Sequence, residues 1–322
     1  MVVGVVLFVV TLLRIDLDET LRSVSRLGLA FPVLLAPGAC WHLLRTWGWS
    51  VAFPDDARPA FSRLFRVRLA TDAISFFTVR GITGEPLKVI LLYDRVSPPV
   101  TAAAITLERL AFAVMSLVIA GIVSWVAVRH LSMPGAWDAV FTLVSIGTVV
   151  TVFMLALMAR RRRGDFLGGI VTRIGRRLNR SLESSRVVRF ILDVEDVLLE
   201  LLRGDRRRLL ILTFLPVACY MITAFEVWLV LRVIGEPIGV TAALAIETFA
   251  RLGSVASAAI PAGIGALEAS NAAPVAMLGL GGGGALALVR RVRALIWAGI
   301  GLAFYPGITP RGPIHKATPR SG

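Results

Sequence analysis

The chain has 322 residues, of which 56% are hydrophobic and 17% charged, with a formal net charge of +14. So few charges cannot cover a water-exposed globule, where about a quarter of residues are normally charged. The apolar residues fall in blocks rather than in strand-like alternation, which excludes an outer-membrane barrel. The basic residues gather between the blocks, where they set topology and meet anionic headgroups. No zinc-finger spacing or aromatic-basic platform is present, so nucleic acid is not expected as a partner. Cys40 and Cys219 lie far apart in apolar segments and read as packing residues, not a disulfide framework.

The first apolar run, 1–13, is about 20 Å long as a helix, short for a span. It lacks a basic lead and a small-residue cleavage site, so it does not read as a signal peptide. A second run follows over 27–49, with Pro32 and Pro37 expected to bend it. Trp41, Trp47 and Trp49 near its end fit an interfacial aromatic belt.

Residues 61–93 are apolar but broken, with Arg66, Arg68, Asp72, Arg80, Glu85 and Lys88 inside or beside the run. This pattern predicts a re-entrant helical hairpin, since broken backbone survives at membrane depth only when buried in protein or lining a wet cavity. Clear spans follow over 102–128 and 138–158. The polar stretch 160–208 holds 14 Arg and seven acidic residues, and the positive-inside rule places it in the cytoplasm. Within it, 166–182 and 186–203 carry apolar residues at helical spacing and are expected to lie on the inner headgroups.

A further span is expected over 209–235, a second broken region over 242–280, and a last span over 284–305. The chain thus reads as an all-α, polytopic bundle of about six full spans and two re-entrant hairpins. Its parts are a first half (1–158), a basic amphipathic linker (159–208), a second half (209–306) and a short basic tail (307–322). Counting crossings from the cytoplasmic linker puts both termini in the cytoplasm of a bacterial inner membrane. An offset of 182 residues places Gly81 on Gly263, Ile82 on Ile264, Ala103 on Ala285 and Arg109 on Arg291. That offset raises an inverted repeat, a plan common among transporters.

The candidate site residues sit in and beside the two breaks. In the first, Arg80, Gly81, Gly84, Glu85 and Lys88 combine tight-turn glycines with cations and a helix start, a setting suited to phosphate. Pro261, Gly263, Gly265 and Glu268 form the second element. Glu108 and Arg109 lie about 100° apart on one helix and need not pair with each other, while Glu247 and Arg251 are spaced to pair on one face. Charge inside a membrane segment is costly and calls for a functional reason, although a salt-bridged turn would also cap a hairpin. No hydrolytic, metal or nucleotide motif is found, so neither catalysis nor a cofactor is expected.

At these residues the chain resembles the flippase-like membrane region of lysylphosphatidylglycerol synthases and its stand-alone relatives. The resemblance rests on 81–88 with its Gly-Glu, on Thr106-Leu107-Glu108-Arg109-Leu110, on the Pro-x-Gly-x-Gly-x-x-Glu of 261–268, and on 285–291 ending in Arg291. Val79, Ala111 and Phe112 depart from the family pattern. The resemblance implies movement of a lipid or lipid-linked glycan between leaflets, without the aminoacyl-transferase domain of the synthases. Membrane lipids, anionic or isoprenoid-linked, are the expected partners, and a lipid-modifying enzyme or a homo-oligomer is compatible with it. The competing expectation is an enzyme or scaffold of lipid biosynthesis that transports nothing itself.

Overall fold

The structure is a computed structural model and describes residues 30–78, 83–161, 186–203, 205–256 and 266–305. Among these residues the regular structure is entirely helical. The first half contains α1 (Ala30–Val51), α2 (Phe61–Phe77), α3 (Gly84–Leu92), α4 (Pro98–His130) and α5 (Gly135–Arg161), with a short 3₁₀ turn at Asp55–Ala57. Then follow α6 (Arg186–Arg203), α7 (Arg206–Val233), α8 (Val240–Ala256), α9 (Ala266–Met277) and α10 (Gly283–Phe304). The expected segments 1–13 and 166–182 lie outside the described residues.

Local chemistry explains the helix ends. Two prolines open α4, where the missing N–H costs nothing, and Arg129 and His130 sit in its last turn, against the negative end of the macrodipole. Asp205 caps α7 by accepting from the Arg207 N–H at 2.8 Å. Pro37 lies inside α1, which stays a single helical element through it.

The helices α4, α5 and α7 are long and apolar enough to cross a bilayer, with mean hydropathy of 2.4, 1.7 and 1.9 over their best windows. By contrast α10 carries three arginines in its middle, Arg290, Arg291 and Arg293. The outward face of α5 is apolar and exposed at Leu143, Ile146, Val149 and Phe153, as a lipid-facing helix requires. Its inner face meets α4 closely, through Ser145 donating to the Gly121 carbonyl at 3.2 Å and Thr148 to the Leu117 carbonyl at 3.3 Å. Small residues at such an interface let helix backbones approach in lipid.

The packing repeats itself. α1 lies along α7; α2 lies along α10 just as α8 lies along α4. This exchange of partners follows the 182-residue offset: α1 ends at Val51 and α7 at Val233, and the short helices α3 and α9 each precede a long one. Each hairpin closes on a glycine. A Cβ on Gly84 would strike Ser75 and lie 3.0 Å from the Thr71 carbonyl, and one on Gly253 would strike Ser270.

Two expectations change. The amphipathic α6 does not spend its apolar face on lipid headgroups: Val194 and Leu201 are buried in the same core as Leu91, Ala103 and Leu107. Trp41 and Trp49 are not belt residues either. Trp49 is buried between the Arg68 guanidinium and the Lys88 ammonium, each 5.4 Å from its ring, and Trp41 lines an internal cavity.

Candidate functional site

Many charged side chains of the bundle are buried against partners, because a charge facing lipid would be far more costly. In the first half, Glu108 of α4 is buried and accepts from two arginines. Arg45 of α1 reaches it at 3.2 Å and Arg68 of α2 at 3.3 Å. The Arg45 guanidinium also lies over the Phe112 ring, 3.7 Å from its centroid, so its charge has an aromatic face as well as a carboxylate.

The second half has the same arrangement with every sign reversed. Arg290 of α10, at the position 182 residues beyond Glu108, is buried between two carboxylates. It meets Glu247 of α8 at 2.5 Å and Glu226 of α7 at 3.9 Å, and it also donates to the Asn271 side-chain oxygen at 2.8 Å. Each carboxylate has a further cation: Arg251 on Glu247 at 2.7 Å, and Arg293 on Glu226. Arg251 in turn stacks over Tyr220 and donates to the Thr223 hydroxyl.

One residue along, the sign is kept. Arg109 pairs with Glu85 in the first turn of α3, and Arg291 pairs with Glu268 in the first turn of α9 at 3.1 Å. Each pair ties the short arm of a hairpin to the long helix that follows it. A carboxylate in a first helical turn also suits the positive end of the helix dipole. Lys88 adds a second cation to Glu85 at 3.2 Å and reaches Asp72 of α2 at 3.8 Å.

Between the halves lies a cavity of about 490 Å³. The first half lines it with His42 and Arg45 of α1, Asp72 of α2 and Arg109 of α4; the second half lines it with Glu247 and Arg251 of α8 and Arg290 and Arg293 of α10. Trp41, Phe112 and Trp297 supply apolar wall. Its size is that of a small-molecule or headgroup site. Among the described residues no group of three His, Cys, Asp or Glu is placed to hold a metal ion.

The sequence-derived candidates divide as follows. Arg109, Glu247 and Arg251 face the cavity, whereas Glu85, Lys88 and Glu108 stand behind its wall as partners of residues that do. Gly84 is where α3 meets α2. Glu268 and Arg291 pair with each other but do not line the cavity. Arg80, Gly81, Pro261, Gly263 and Gly265 lie outside the described residues. Sequence reasoning missed His42, Arg45, Arg290 and Arg293 as cavity residues, and Arg68 and Glu226 as their supports. A signal existed for three of these: Arg45, Glu226 and Arg290 are charges inside apolar runs, each of which demands a partner.

The family model described as Lysylphosphatidylglycerol synthase TM region matches residues 1–303. No curated protein and no solved structure matches the chain.

Proposed function

The chain belongs to the lysylphosphatidylglycerol synthase transmembrane-region family, and on that premise we propose that it moves a lipid or lipid-linked glycan between the two leaflets. The headgroup passes through the cavity between the halves while the lipid tails stay in the bilayer. The observation that carries this reading is the cavity itself, walled by charged side chains from both halves of an otherwise apolar bundle. A purely structural bundle has no use for so many buried charges, because a buried ion pair rarely adds stability over apolar packing.

The proposed topology has six crossings in a bacterial inner membrane, with both termini and the basic stretch 160–208 on the cytoplasmic side. The two hairpins then enter from opposite faces, and the pairs Glu85–Arg109 and Glu268–Arg291 latch them. Inverted repeats whose broken helices flank a midplane site are a recurrent transporter plan.

Proteoliposomes containing the purified protein and trace fluorescent lipids test the reading. Exchange of an anionic or polyprenyl lipid faster than in empty vesicles is expected. Rates equal to those of empty vesicles for every such lipid would remove the transport function.

A further inference from the structure

Among the described residues the ion pairs around the cavity do not balance. They form three connected groups. Arg45 and Arg68 share one carboxylate, Glu108, which leaves a surplus of one positive charge. Arg109 and Lys88 are matched by Glu85 and Asp72, which leaves none. Arg251, Arg290 and Arg293 share Glu247 and Glu226, which leaves one more. The two surplus charges come one from each half, and both groups reach the cavity surface.

A second observation points to a ligand on the first wall. His42 and Arg45 are each at least nine-tenths buried, one turn apart on α1, and both line the cavity. The His42 Nδ1 and the Arg45 Nε have no hydrogen-bond partner among the described residues. Buried polar atoms normally find partners, so an acceptor brought in from outside completes the Arg45 Nε–H, and the His42 Nδ1 as well in the tautomer that carries its proton there. Charge surplus and unfilled hydrogen-bonding capacity therefore coincide beside Arg45, and the Arg290 Nε and Trp297 Nε1 of the same cavity are likewise without a hydrogen-bond partner among the described residues.

Resting on the transport reading above, we propose that the cavity takes a headgroup whose phosphate carries two negative charges, a phosphomonoester or a pyrophosphate linkage. One charge faces His42 and Arg45, and the other faces the arginines of α8 and α10. A phosphomonoester carries about −1.5 to −2 at neutral pH, whereas a phosphodiester headgroup such as phosphatidylglycerol carries one charge and leaves one wall unmatched. Bidentate guanidinium contacts suit phosphate oxygens, and arginine stays charged when buried.

The test is equilibrium binding to the full chain in detergent micelles, read as the concentration-dependent rise in melting temperature. The probes are phosphatidic acid, phosphatidylglycerol and phosphatidylcholine of one acyl length, a polyprenyl pyrophosphate, and inorganic pyrophosphate. Phosphatidic acid and the polyprenyl pyrophosphate are expected to bind at least about tenfold tighter than phosphatidylglycerol. Arg45→Gln is expected to shrink that ratio to about threefold or less, and Arg45→Lys to keep most of it. Equal affinity for phosphatidic acid and phosphatidylglycerol in the unaltered protein would overturn the proposal, whether or not Arg45→Gln folds. Tighter binding of phosphatidylcholine would overturn it too. Inorganic pyrophosphate binding as tightly as the lipid would keep the phosphate seat and assign it to a soluble anion. Leaflet exchange without the phosphate preference would sink this proposal and leave the transport reading standing; the preference without exchange would do the reverse.

Discussion

The centres of the two halves differ in sign but not in plan. Glu108 of α4 faces Arg45 and Arg68; Arg290 of α10 faces Glu226 and Glu247. What is kept between the halves is the geometry of one central charge between two opposite ones, not the identity of the residues. The pairs next to them, Glu85 with Arg109 and Glu268 with Arg291, keep both geometry and sign. The contrast separates two constraints: either polarity can tie three helices together, whereas the hairpin pairs keep one polarity in both halves.

The halves also differ in redundancy. Among the described residues Glu108 is the one carboxylate paired with both Arg45 and Arg68, while Glu226 and Glu247 each have a second arginine. Glu108→Gln should therefore be the most damaging single change, at about 3–5 kcal/mol, the usual cost of leaving buried charge uncompensated. The readout is loss of the monodisperse peak and of thermal stability in detergent. Exchanging the signs, with Glu108→Arg, Arg45→Glu and Arg68→Glu together, copies the second half into the first and should recover much of that loss. A triple variant no more stable than Glu108→Gln would break the equivalence of the triads.

Arg290→Gln should cost less, about 1–3 kcal/mol, in the range for a lost buried hydrogen-bonding partner, because Arg251 and Arg293 still hold the two carboxylates. Gly84→Leu should cost a comparable 1–3 kcal/mol, roughly, by overpacking α3 against the backbone of α2, as a melting curve would show. Glu85→Gln and Glu268→Gln should be mildest in stability, within about 1 kcal/mol, since both pairs are partly exposed. Both are nonetheless expected to abolish lipid exchange while inserting normally. Undiminished exchange in both would remove the hairpin pairs from the pathway.

Much of the fold was legible in hydropathy. The observed α4, α5, α7 and α10 begin and end within a few residues of the apolar runs, and both broken regions resolve into a longer and a shorter helical arm. The pairing of Glu247 with Arg251 followed from helical spacing alone. The triads were not legible, because their partners come from helices far apart in sequence and the sign reversal hides the repeat from any comparison of identities. Arg290 shows this: at the offset of 182 it stands opposite Glu108, whereas its neighbour Arg291 matches Arg109 in identity. Trp49 and Trp41 misled for a related reason. A tryptophan near the end of an apolar run marks an interface unless a cation elsewhere in the chain claims its ring.

Filling the cavity tests the central claim most directly. Ala294 lines the cavity on α10, so Ala294→Trp places a large ring in the space between the halves while leaving every ion-paired residue in the sequence unchanged. If headgroups cross there, leaflet exchange in proteoliposomes falls to the rate of empty vesicles while the protein still elutes as a single species. Exchange at the unaltered rate, with the indole in place, would mean that lipids take another route.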